Sequence, residues 1–70
     1  MNLDIAKKWV NDHLMEKHCF KYIGSRNQED VFLGFISKMY PNVFLIETDI
    51  NAYKCFSYND IVIGSIRIVS

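Results

Sequence analysis

From residue 17 onward the apolar residues fall at alternate positions, and turn-forming residues interrupt them roughly every ten residues. That period excludes a helix bundle, whose packing needs apolar residues three and four apart. It predicts a series of short strands. Cys19, Phe20, Tyr22 and Ile23 form the first, followed by a turn at Gly24-Ser25-Arg26-Asn27. Residues 29–40 form a long second strand. Pro41 and Asn42 turn the chain into a third strand from Val43 to Thr48, and Asp49-Ile50-Asn51-Ala52 closes a hairpin with a fourth from Tyr53 to Ser57. Tyr58-Asn59-Asp60 is a polar break of one helical turn before a last strand from about Ile61 to Val69.

Residues 2–16 have the other period. Ile5, Ala6, Trp9, Val10, His13 and Leu14 make one helical stripe, with Lys7, Lys8, Asn11, Asp12 and Glu16 opposite. Asn2 or Asp4 is the expected N-cap, and Trp9 is expected to pack the helix onto the strands. The expected fold is therefore mostly β with one N-terminal α-helix, a small five-stranded SH3-like (Sm-like) barrel. It is read as a single domain over 1–70, with the helix in 1–16 and the barrel in 17–70. Gly34 sits mid-strand, which marks a bend or a close backbone approach, so it is expected to tolerate no side chain. Tyr58 and Asp60 are expected to fix the one-turn break, Asp60 by accepting backbone N–H bonds. In the third strand Phe44, Ile46 and Thr48 alternate with Val43, Leu45 and Glu47. Both faces are partly apolar, so one fills the barrel and the other needs a cover. The helix is the simplest cover and a second subunit the other.

Size and charge narrow the function. A chain of 70 residues buries only about 60% of its unfolded surface, leaving little stability for a strained catalytic pocket. Eight Lys and Arg balance eight Asp and Glu, without the basic excess usual in nucleic-acid binders. No apolar run approaches a membrane span, and the mixed charge of the N-terminus does not fit a secretory signal. A cytoplasmic location is expected, with Cys19 and Cys55 as buried thiols, not a disulfide.

No residue set reads as catalytic. His13, His18, Cys19 and Cys55 lack the tight ligand pairs of a zinc site. Cys19 and its neighbour His18 face opposite sides of a strand, and Ser57 and Ser65 lack a nucleophile elbow. Glu29 and Asp30 read as solvated loop carboxylates, and Gly24-Ser25-Arg26 is too short for a phosphate-binding loop. The expectation is a binding protein without cofactor or metal. Lys21, Tyr22, Arg26 and Tyr40 do interleave basic and aromatic groups, as in barrels that stack bases.

Gly34-Phe35-Ile36, then Tyr40-Pro41-Asn42-Val43-Phe44, Asp49 and Ser57-Tyr58-Asn59-Asp60-Ile61 resemble the Veg family of small Gram-positive bacterial proteins, described as stimulators of biofilm formation. Asp4-Ile5, Lys21, Gly24 and Arg26 fit the same pattern, so the resemblance covers nearly the whole chain. The family's glycine and basic loop, roughly G-G-R-R-K, keeps only Gly24 and Arg26 here; Ser25, Asn27, Gln28 and Glu29 fill the rest. The resemblance implies a helix plus SH3-like barrel that influences transcription of matrix genes through contact with a regulatory protein. Lys21, Arg26, Lys38, Tyr40 and Lys54 are the candidate contacts for that partner or, in the alternative reading, for single-stranded nucleic acid. Gly34, Pro41, Phe44, Tyr58 and Asp60 are assigned structural roles. A homodimer is an open alternative, and no membrane partner is expected.

Overall fold

Asn2 begins the first helix by accepting the Ile5 N–H on its side-chain oxygen at 2.9 Å. The computed structural model describes residues 1–69. Along the chain lie α1 (Leu3–Asp12), β1 (Lys17–Ile23), a 3-10 turn (Ser25–Asn27), β2 (Glu29–Met39), β3 (Val43–Thr48), β4 (Tyr53–Ser57), α2 (Tyr58–Val62) and β5 (Ile66–Ile68).

The strands form one antiparallel sheet in the order β4-β3-β2-β1-β5. β2 is long enough to serve two neighbours in succession. It pairs with β1 from Glu29 to Phe35 and with β3 from Gly34 to Met39. The crossing point is Gly34, where a Cβ would collide with the Glu47 carbonyl oxygen and meet Ile46 Cγ2 and Thr48 Cα at 3.1 Å. The five strands and the N-terminal helix are those the sequence predicts. The sheet is nevertheless open: among the described residues, β4 and β5 are its two edges, with α2 connecting them.

Inside the curl, Phe20, Ile36, Phe44, Ile46, Phe56, Ile61 and Ile66 are buried with Tyr58. Each such side chain contributes about 1.5–3 kcal/mol on full burial. Phe32 stacks on both Phe20 and Phe56, at centroid distances of 5.7 and 6.1 Å, joining the two halves of the sheet. Ala6 and Val10 complete this cluster from α1, with Trp9 and Leu14 packed against it.

Four local expectations need correction. α1 ends at Asp12, not residue 16, because Met15 takes a left-handed backbone (φ 64°) and donates its N–H to the Ile36 carbonyl at 2.9 Å, extending the ladder next to β1. Ile5 is exposed; it lies about 100° round the helix from Ala6, at the margin of the stripe. The last strand starts at Ile66, since Ile61 and Val62 belong to α2. The helix does not cover the outside of the sheet: it packs on α2 and the core at one end, so among the described residues the outer side chains of β2, β3 and β4 have no helix over them. For the same reason Cys55, on that outer side, is an exposed free thiol, and Cys19 is only half-buried.

Candidate functional site

Alternation along β3 decides what the outside presents. Phe44, Ile46 and Thr48 are buried, which turns Val43, Leu45 and Glu47 outward. Across the ladders Leu45 stands between Lys38 and Cys55, and Glu47 between Phe35 and Tyr53. A β-bulge breaks the β2–β3 register between Ile36 and Lys38, leaving Ser37 as the extra residue. Bulges bend a strand and re-aim its side chains. Here the bend opens a groove of about 260 Å³ lined by Ser37, Lys38, Leu45, Glu47 and Tyr53.

The chemistry of this groove is uneven. Its floor is Leu45, and Lys38 and Glu47 supply opposite charges. The Ser37 hydroxyl is buried and has no hydrogen-bond partner among the described residues. Buried polar groups are nearly always partnered, because leaving one unmet costs about 1–3 kcal/mol. Tyr53 is 63% exposed. A hydrogen bond to Glu47 and the charge of that carboxylate raise its phenol above the ordinary 10.0, so the hydroxyl stays protonated at neutral pH.

The candidate contacts do not gather on one patch. Lys38 lines the groove, and Tyr40 is exposed in the adjoining β2–β3 turn. Arg26 is at the other end of β2, in an exposed turn with φ 60°. The eleven residues of β2 lie between the two ends. Lys21 pairs with Glu29 at 3.4 Å. Lys54 turns inward, 5.1 Å over the Phe32 ring, and pairs with Asp30 at 2.8 Å. Glu29 and Asp30 thus open β2 as ion-pair partners, not as loop carboxylates. Sequence reading missed Ser37, Glu47 and Tyr53 as site residues. The only signal was Leu45 and Tyr53 lying on an outward register; the bulge that assembles them has no glycine or proline to announce it.

A second depression, of about 360 Å³, lies between α1 and β5 and includes Trp9, His13, His18 and Arg67. His13 Nδ1 is 2.7 Å from the Trp9 carbonyl oxygen, and His18 Nε2 is 3.1 Å from Glu16 Oε1. These contacts tie the imidazoles to the protein's own groups. Among the described residues no cluster of three or more His, Cys, Asp or Glu is placed to hold a metal ion, and no helix is long and apolar enough to cross a membrane.

The structural motif residues do converge. The Tyr58 hydroxyl donates to the Tyr40 carbonyl at 2.7 Å, and the Tyr58 ring lies 5.6 Å from Phe44. Tyr40-Pro41-Asn42-Val43-Phe44 and Ser57-Tyr58-Asn59-Asp60 are therefore two halves of one structural unit. The model of the family "biofilm formation stimulator VEG" matches residues 1–69. The chain belongs to the Veg family. A search of curated proteins and one of solved structures gave no match. For this Veg protein the most recognisable residues maintain the fold, whereas the groove beside them is built from residues outside those elements.

Proposed function

We propose that this Veg-family chain is a non-enzymatic regulatory protein of the cytoplasm, acting in biofilm formation by contacting another protein and thereby influencing transcription of matrix genes. The observation that carries the reading is the outer groove, where exposed Tyr53 and Lys38 stand beside Leu45 and Glu47. An apolar floor, the exposed Tyr53 and charges of both signs suit a polypeptide surface, which offers apolar groups together with side chains of either charge. A nucleic-acid strand is the weaker fit. Lys21 and Lys54 are each held by a carboxylate, and Glu47 faces the same groove as Lys38.

A photoreactive phenylalanine analogue at position 53, expressed in biofilm-forming cells, tests the contact. A discrete covalent adduct with one protein is expected, and no matching adduct when the analogue replaces Ile63, which is equally exposed on the α2 side. Absence of an adduct at position 53, or the same adducts from both positions, contradicts the reading. Ser37→Ala refines the test. Its stability stays within about 0.5 kcal/mol of the parent or rises, because a buried hydroxyl without a partner is removed, while the adduct at position 53 persists, since that hydroxyl lies out of a partner's reach.

A further inference from the structure

The leading half of β2 has only one neighbour. Residues 29–33 pair with β1, but pairing with β3 begins only at Gly34 opposite Thr48. At that boundary the Asp49 N–H donates to the Leu33 carbonyl at 3.0 Å, after which the hairpin turns away. Leu33 therefore directs its backbone groups to the β3 side, and alternation gives Val31 and Glu29 the same direction. Among the described residues no strand meets them there. Beside this edge lies a recess of about 390 Å³ whose lining includes Val31, Leu33, Ile50 and Lys54. Val31, Leu33 and Ile50 are 56%, 49% and 84% exposed.

The other edges carry protections, whereas on this one the charge of Asp30, on the Phe32 face, is met by Lys54 at 2.8 Å. Lys54 points inward from the edge strand β4, and β5 is only three residues long; inward charges and short strands are devices against edge pairing. The outward residues of the β2 edge are Glu29, Val31 and Leu33, and its backbone N–H and C=O groups match another extended chain.

We propose that a second copy of this chain fills the recess, with residues 29–33 of the two copies running antiparallel about a two-fold axis at Val31. The open stretch and the segment that fills it have the same length. β2 begins at Glu29, so each copy's strand stops where the hairpin of the other occupies the edge at Leu33. In this register Val31 meets Val31 and Glu29 of each copy stands opposite Leu33 of the other, so no like charges face each other directly. The exposed turn carrying Arg26 falls beside the other copy's Asp49-Ile50 tip, setting opposite charges together and covering Ile50. The product is a continuous six-stranded sheet, β5-β1-β2 against β2-β1-β5, with an isologous and closed interface. This goes beyond the partner reading, because it uses the opposite half of β2 from the Ser37 groove.

Sedimentation equilibrium of the full chain in reductant, from micromolar to near-millimolar concentration, tests it together with amide exchange. The mass rises from the chain's 8.2 kDa toward twice that value, and the Val31 amide exchanges on the order of tenfold more slowly at high than at low concentration. Val31→Lys stays at the monomer mass throughout, while Ile63→Lys dimerises like the parent. A parent that remains at 8.2 kDa, a Val31 amide whose exchange ignores concentration, or a Val31→Lys chain that folds and still dimerises overturns the proposal. The amide measurement needs no variant, so a misfolded Val31→Lys chain does not blunt the test. A monomer that still forms the position-53 adduct removes only the dimer, and a dimer without the adduct removes only the partner reading.

Discussion

Gly34, with Phe35 after it, is where β2 is paired on both sides. The Glu47 carbonyl oxygen occupies the space of a Cβ at this position, and backbone cannot swing aside as a side-chain tip can. Gly34→Ala should therefore lower stability by about 1–3 kcal/mol, the usual cost of overpacking, read as a fall in the urea midpoint. Tyr58 makes a second single-residue case. Its ring is buried, and burial raises the phenol above 10.0. As pH climbs past 10.0 the unfolded chain releases this proton first, so the stabilisation is full below that pH and is lost through the folded-state pKa. Tyr58→Phe should remove this alkaline decline and cost about 1 kcal/mol at neutral pH through the lost bond to Tyr40. Denaturation curves at pH 7 and above pH 10 check both; an alkaline slope unchanged by the substitution speaks against the assignment.

At the scale of elements, α2 shows what the sequence made legible and what it hid. Ser57 accepts the Asp60 N–H and Asp60 accepts the Ser57 N–H, a capping box that starts the helix. Gly64, at φ 79°, ends it: its N–H bonds the Ile61 carbonyl and the Ser65 N–H bonds the Asp60 carbonyl, a Schellman pair. Both signals stand in the sequence, as S-x-x-D and a following glycine. The sequence reading nevertheless starts the last strand at about Ile61, since the segment to Val69 is rich in β-branched Ile and Val. Asp60→Ala should cost about 1 kcal/mol and loosen the contact between Tyr58 and Tyr40, measurable as faster amide exchange in α2. β1 to β4 were readable because their turns carry glycine, proline or Asp-Asn residues. The bulge at Ser37 and the overhang of β2 were not, since both arise from where one strand leaves another, and alternation in a single strand does not record its neighbours' ends. The same blindness explains the cover assigned to α1. An apolar stripe shows that a helix packs, not on which side of a sheet.

For the whole molecule, the position of α1 has the largest consequence. By closing one end of the curl with α2 it completes the core and, among the described residues, leaves the outer side of β2, β3 and β4 free of any helix. Charge gives the same molecule little long-range pull on a polyanion, because its eight positive and eight negative residues cancel. Many of them meet as surface pairs, Lys8 with Asp12 and Lys17 with Asp49 among them, each contributing at most about 1 kcal/mol. The proposed function therefore rests on contact through shape and local chemistry, in a chain of the family of biofilm formation stimulators. The most direct test replaces the groove's two most accessible side chains together, Lys38→Glu with Tyr53→Ala, in cells whose own copy has been deleted, and measures biofilm mass. The double variant should keep the parent's unfolding midpoint and accumulate to the same level, yet fail to restore biofilm; full restoration by that variant would contradict the assignment of function to the outer face.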